Sequence, residues 1–156
     1  MSGLPHYDAM PALLALGATA TIADAALGVR TIALNELASS GALLVNVIVP
    51  ASSMRLLADR SLHPSLAVYV GANIDAGTIK DMRVSVGGAY ARPQVVLLPV
   101  TGLSQSALGE LAATLAHTVL DALPEPLSDG FASATYRRRM IAVLTRRLLV
   151  RLGAST

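Results

Sequence analysis

The chain has 156 residues, enough for one domain with an ordinary buried core. With 53% hydrophobic and 14% charged residues it falls outside the composition of disordered chains. It has no cysteine, which excludes disulfides, zinc–thiolate sites, iron–sulfur ligation and thiol catalysis. Tryptophan is absent and the aromatics are four tyrosines and one phenylalanine, too few for a platform that stacks single-stranded bases. Net charge is only +2, but six of the twelve basic residues fall in the last twenty positions with no acid among them.

The mean hydropathy of +0.58 raises the question of a membrane span. The apolar residues are dispersed, and no run approaches the ~20 residues a spanning helix needs. Residues 1–26 lack the basic start of a signal peptide, and Asp8 precedes their apolar stretch. A protein of the cytoplasm, not attached to a membrane, is the expectation.

Asp8–Leu16 reads as a short helix with Pro11 in its first turn. Ala18–Ile22 and Val29–Leu34 are short strand candidates. Leu43–Val49 is a stronger one, with Leu43, Val45, Val47 and Val49 on one face by strict alternation, and Pro50 ends it. Met54–Arg60 fits neither period cleanly. Leu66–Ile74 alternates well, and after the turn Asp75-Ala76-Gly77 the run Ile79–Val86 returns with Met82, Val84 and Val86 on one side. Two such runs joined by a short glycine turn predict an antiparallel hairpin. Gly87-Gly88 marks a bend or a close approach of backbone, and Arg92-Pro93 opens an irregular stretch.

Ser104 or Ser106 is placed to cap a helix running to Ala122, with Leu108, Leu111, Leu115, Val119 and Ala122 at helical spacing. Pro124-Glu125-Pro126 breaks it. A second helix is predicted from about Ser133 to Leu152, with Met140, Ile141, Leu144 and Leu148 as its core stripe. The fold class expected is therefore α+β: a small antiparallel sheet covered on one face by the C-terminal helices.

Catalytic constellations are sparse. His6, His63 and His117 have no metal-ligand spacing, and packed or solvated histidines explain them. Gly102-Leu103-Ser104-Gln105-Ser106 lacks the final glycine of a nucleophile elbow, and a helix cap explains it. No phosphate-cradling glycine motif occurs. Asp121, Glu125 and Asp129 gather near the inter-helix loop, where solvated carboxylates are ordinary. The six arginines Arg137, Arg138, Arg139, Arg146, Arg147 and Arg151 spread around their helix, so nucleic acid is disfavoured. Packing of their stems, or pairing with acids of the chain or of a partner, is expected instead.

The segment from Pro126 to Leu149 carries a specific pattern. Asp129, Ser133, Ala134, Tyr136, Arg137, Arg138, Val143, Leu144, Arg146, Arg147 and Leu149 match the spacing D-x-x-x-S-A-x-Y-R-R-x-x-x-x-V-L-x-R-R-x-L, with Leu148 where alanine is common. This resembles the end of the flavoprotein (medium) subunit of molybdenum hydroxylases, the xanthine dehydrogenase and carbon monoxide dehydrogenase family. Asp8–Ala18, Gly41–Pro50, Leu66–Asp75 and Met82–Pro93 (MRVSVGGAYARP) resemble further segments of that subunit in the same order.

The resemblance implies two units: residues 1–40 as the end of a flavin-binding domain and 41–153 as the C-terminal α+β domain. Two family contacts to flavin map to Asp8 and to Leu44 or its neighbour Val45, while Leu56 stands where a lysine of the family lies. The family's glycine-rich flavin segments have no counterpart in this sequence. FAD is accordingly expected only if a partner supplies the pyrophosphate-binding segments, and no catalytic residue carries over. The implied function is a component of a molybdenum-hydroxylase-type dehydrogenase that completes the flavin site and docks to other subunits. The implied partners are a flavin-domain fragment, iron–sulfur and molybdopterin subunits, or a second copy in a homodimer. The alternative is a stand-alone interaction module that kept the fold without FAD or redox function.

Overall fold

A computed structural model of the chain describes residues 9–37, 42–50, 54–61 and 66–155. Helix α1 (Ala9–Ala15) is followed by strands β1 (Thr19–Asp24), β2 (Gly28–Ala33) and β3 (Leu43–Ile48). These form a three-stranded antiparallel sheet in the order β2-β1-β3. Strands β4 (Met54–Arg60), β5 (Ala67–Asp75), β6 (Thr78–Gly87) and β7 (Gln94–Leu97) form a second antiparallel sheet as a simple meander. Helices α2 (Leu108–Ala122) and α3 (Ala134–Ala154) complete the chain.

The class is α+β as expected, with two sheets in place of one. The ambiguous Met54–Arg60 is strand β4, paired along its length with β5 from Met54↔Asn73 to Arg60↔Ala67. The stretch after Arg92-Pro93 is not irregular throughout: Gln94–Leu97 is an edge strand on β6. Four residues with no alternation of hydrophobicity give too short a signal, and pairing with a strongly patterned neighbour makes the strand.

The β5–β6 hairpin follows the expected register. Ala76 and Gly77 at its tip both have positive φ (46° and 73°), as a type I′ connection requires. Leu66, Val68, Val70, Ala72 and Ile74 lie buried beside Met82, Val84 and Val86 on one sheet face. That face is covered by α3, on which α2 packs, through Leu108, Ala112, Leu115, Val119, Ile141, Leu144, Leu148, Leu149 and Leu152. Leu111 is 38% exposed and Ala122 is exposed, so the buried stripe of α2 is rotated toward Ala112, Ala116 and Leu120 from the one expected. Small alanines there let α2 approach α3 closely.

The opposite face of the same sheet carries α1, an addition to the expected one-sided cover. Glycine makes that contact possible. A Cβ on Gly71 of β5 would overlap the Ala15 carbonyl, and one on Gly87 of β6 would stand 2.7 Å from the Pro11 ring. Gly88 then turns the chain with φ 79°. The Gly87-Gly88 pair thus serves both roles read from the sequence, a close approach and a bend.

Helix α2 starts later than the sequence suggested. A single 3-10 turn (Gln105–Ala107) precedes it, and neither Ser104 nor Ser106 caps it with a side chain. Their hydroxyls bond each other at 2.9 Å. Helix α3 starts as read: Ser133 accepts a hydrogen bond from the Tyr136 amide at 3.2 Å. Its far end is closed by Gln105, 7% exposed, whose Nε2 donates to the carbonyls of Leu152 (2.7 Å) and Ser155. No helix among the described residues is long and apolar enough to cross a membrane.

Candidate functional site

The motif residues that carried the resemblance do structural work at the entry to α3. Asp129 accepts from the amides of Phe131 (2.9 Å) and Ala132 (3.1 Å), which fixes the loop before the helix. Arg137, one turn into α3, is 2% exposed. Its Nη2 donates to both Asp129 carboxylate oxygens, at 2.9 and 2.8 Å, and its Nη1 to the Leu127 carbonyl at 2.6 Å. The Arg137 hydrogen bond, with the Phe131 amide after it, holds the Asp129 carboxyl below the usual carboxylate range. Asp129 is therefore a clamp for a buried guanidinium rather than a solvated loop acid. Arg138 lies 3.9 Å from Glu125. Nearby, Tyr90 donates to the Pro124 carbonyl at 3.3 Å, and burial above all pushes its phenol up to about 12.

The flavin-contact candidates fare differently. Asp8 lies outside the described residues. Leu44 stands on β3, 45% exposed, among a set of open apolar side chains: Leu43 (70%), Val45 (53%) and Ile48 (51%). The strict alternation read for this strand is broken by a bulge. Leu44 faces Ile22 and Asn46 faces Thr21, which leaves Val45 as the extra residue. Leu44 and Val47 therefore share the face of the buried Ile22 and Ala20, and Val47 packs into the second core with Leu14, Ala18 and Leu34. A bulge inserted within an apolar run leaves no mark in residue type, so the face assignment could not be read in advance.

Beside this second core is a cleft of about 480 Å³ lined by Met10, Leu14, Leu34, Asn35, Arg92 and Val95, among others. Its aliphatic wall is the kind of surface a flat ring packs on, and none of its described lining residues belongs to β3. A pyrophosphate needs more: convergent backbone N–H groups or a helix N-terminus aimed at it. Among the described residues α2 begins from a 3-10 turn without glycine, and the start of α3 is occupied by Ser133. The described helix starts therefore offer no such cradle for the phosphates of a dinucleotide.

Among the described residues no group of three or more His, Asp or Glu could hold a metal. His117 is exposed on α2, and His6 and His63 lie outside the described residues. Asp24 is lowered by the amides of Ala26 and Leu27, with which it closes the β1–β2 turn. Arg83 pairs with Asp81 at 2.5 Å beneath α1, and its guanidinium packs against Gly17.

The family model for the CO dehydrogenase flavoprotein C-terminal domain matches residues 61–152. The chain belongs to this family. Solved structures share its fold. The carbon monoxide dehydrogenase reconstituted from Oligotropha carboxidovorans superimposes with a TM-score of 0.71 at 22% identity, over 99% of this chain and 59% of that one. Quinoline 2-oxidoreductase from Pseudomonas putida 86 gives 0.65 at 24% identity, over 96% and 58%. The Hydrogenophaga pseudoflava carbon monoxide dehydrogenase that lacks the Mo-pyranopterin moiety gives 0.69 at 16%, over 94% and 56%. The chain thus spans somewhat over half the length of the solved chains it matches. A search of curated proteins finds no match. Within the family match, Asp129, Ser133 and Arg137 build the entry to α3.

Proposed function

We propose that the chain is the C-terminal portion of the FAD subunit of a molybdenum-hydroxylase-type dehydrogenase, working in the cytoplasm. In this role it frames one side of the flavin site and docks to the other subunits. Residues 1–40 would be the end of the flavin-binding domain and 41–153 the C-terminal domain. The observation that carries the proposal is the open apolar strand β3. Leu43, Leu44, Val45 and Ile48 are 45–70% exposed, on a strand whose neighbour β1 buries Ala20 and Ile22. Such a surface is expected to be covered in the working protein.

Bound flavin would carry electrons between the redox centres of the complex. This chain would pack against the ring through Leu44, or its neighbour Val45, and exclude water there. Asp8 would supply a polar contact. The pyrophosphate would be held by a flavin-domain segment, and the iron–sulfur and molybdopterin subunits would complete the assembly. The test is capture of a flavin-bearing partner from the native source by the tagged chain. Leu44→Asp should abolish flavin recovery while α2 and α3 stay folded. Equal flavin recovery by both forms would refute the contact.

A second reading rests on the closed core between the four-stranded sheet and α3. Its cluster runs from Leu66 to Leu152 and needs no other chain to complete it. A module with that core could persist as an interaction domain, or as a homodimer through β3, without FAD. Capture of the chain without flavin would favour this reading.

A further inference from the structure

Four of the six arginines of α3 share one side of the helix with two valines. Arg139, Val143, Arg146, Arg147, Val150 and Arg151 fall within an arc of about 140° at 3.6 residues per turn. Val143 and Val150 are 37% and 42% exposed and sit one heptad apart. They border a groove of about 640 Å³ between α3 and the edge strand β4, whose other wall includes Asp59. In strand register Asp59 stands opposite Val68, and so on the helix-covered face of the sheet. Among the described residues Asp59 is the one acid lining the groove, and it lies 3.8 Å from Arg147. Among the described residues Arg139, Arg146 and Arg151 have no acidic partner.

The helix dipole rewards a cation in the last turn, which accounts for Arg151 alone. It does not account for Arg139 in the second turn, or for valines held open between arginines. Two exposed valines seven residues apart, flanked by arginines without acidic partners, are complementary to another helix that presents aliphatic residues between carboxylates. We infer that the groove between β4 and α3 docks an acidic amphipathic helix of a partner protein, with its aliphatic side chains on Val143 and Val150 and its carboxylates on Arg139, Arg146 and Arg151. Bidentate arginine–carboxylate pairs would set the register of the docked helix. The inference does not depend on the dehydrogenase reading, because it uses only the charge and shape of this face.

The test uses the full chain and a fluorescein-labelled peptide of about 20 residues, with leucines at a and d and glutamates at e and g. A shuffled peptide of the same composition and a short DNA duplex serve as comparison ligands. Anisotropy should show the patterned peptide binding at least about tenfold tighter than the shuffled one. Arg146→Glu with Arg151→Glu should weaken the patterned peptide by about tenfold or more, and Val143→Asp should weaken it too. Arg30→Glu on β2 should leave binding within about twofold. All these sites are exposed, and unchanged thermal melts will establish that the variants fold. Equal binding of the shuffled peptide, no effect of the double reversal, no peptide binding, or tighter binding of the duplex would each overturn the inference.

Discussion

Replacing Arg137 with methionine tests the clamp at the start of α3. Methionine keeps most of the stem's volume and removes every hydrogen bond of the guanidinium. The Leu127 carbonyl then loses a charged donor at 2.6 Å, a bond of the kind worth about 1.5–3 kcal/mol. The Asp129 carboxylate loses its two bonds to Nη2 but stands 42% exposed, so water replaces them and the added cost is smaller. Against this, the variant relieves burial of the Arg137 Nε, which has no partner. The balance is a loss of about 2 kcal/mol. With a urea slope of about 2 kcal/mol/M, the unfolding midpoint should fall by about 1 M. Asp129→Asn should cost less, and the double variant should cost less than the two singles added, because both remove one interaction. A midpoint for Arg137→Met within about 0.2 M of the parent, with unchanged slope, would refute the clamp.

Four further consequences come from the packing and the titrations. Gly71→Ala should displace α1 from the sheet and destabilise by about 1–3 kcal/mol, whereas Gly109→Ala, with open space at its Cβ, should be neutral or stabilising in the same melts. Leu148→Ala, which empties a fully buried site between α3 and the sheet, should cost about 2–5 kcal/mol. Because Asp129 and Asp24 are lowered in the folded state, the stability they contribute should be complete above pH ~4 and be lost as pH falls further, and Asp129→Asn should flatten that acid limb. Tyr90 is raised to about 12, so folding favours its neutral form. Stability should fall as pH rises from about 10 toward 12, and Tyr90→Phe should remove that alkaline loss.

Much of the fold was legible because one face of each main element is buried. The hairpin of β5 and β6 carries Val68, Val70, Val84 and Val86 at period two, and α3 carries Ile141, Leu144 and Leu148 at helical spacing. Where burial comes from two sides or none, the pattern weakens. In β4 only Leu57 packs into the core from the helix-facing side, so Met54–Arg60 showed no clear period. In β3 the bulge at Val45 moved Leu44 and Val47 to one face, and alternation misplaced them. The long-range partners of Arg137 and Gln105 were also hidden, because a cap or clamp made across the fold leaves no local signature. The family spacing included Asp129 and Arg137 among eleven matched positions, and only the geometry paired them.

Native mass spectrometry of the endogenous complex is the decisive test of the proposal that this chain completes the flavin site of a larger dehydrogenase. The chain should be recovered with FAD, a flavin-domain segment, an iron–sulfur subunit and a molybdopterin subunit. Recovery alone or as a colourless homodimer would contradict that proposal.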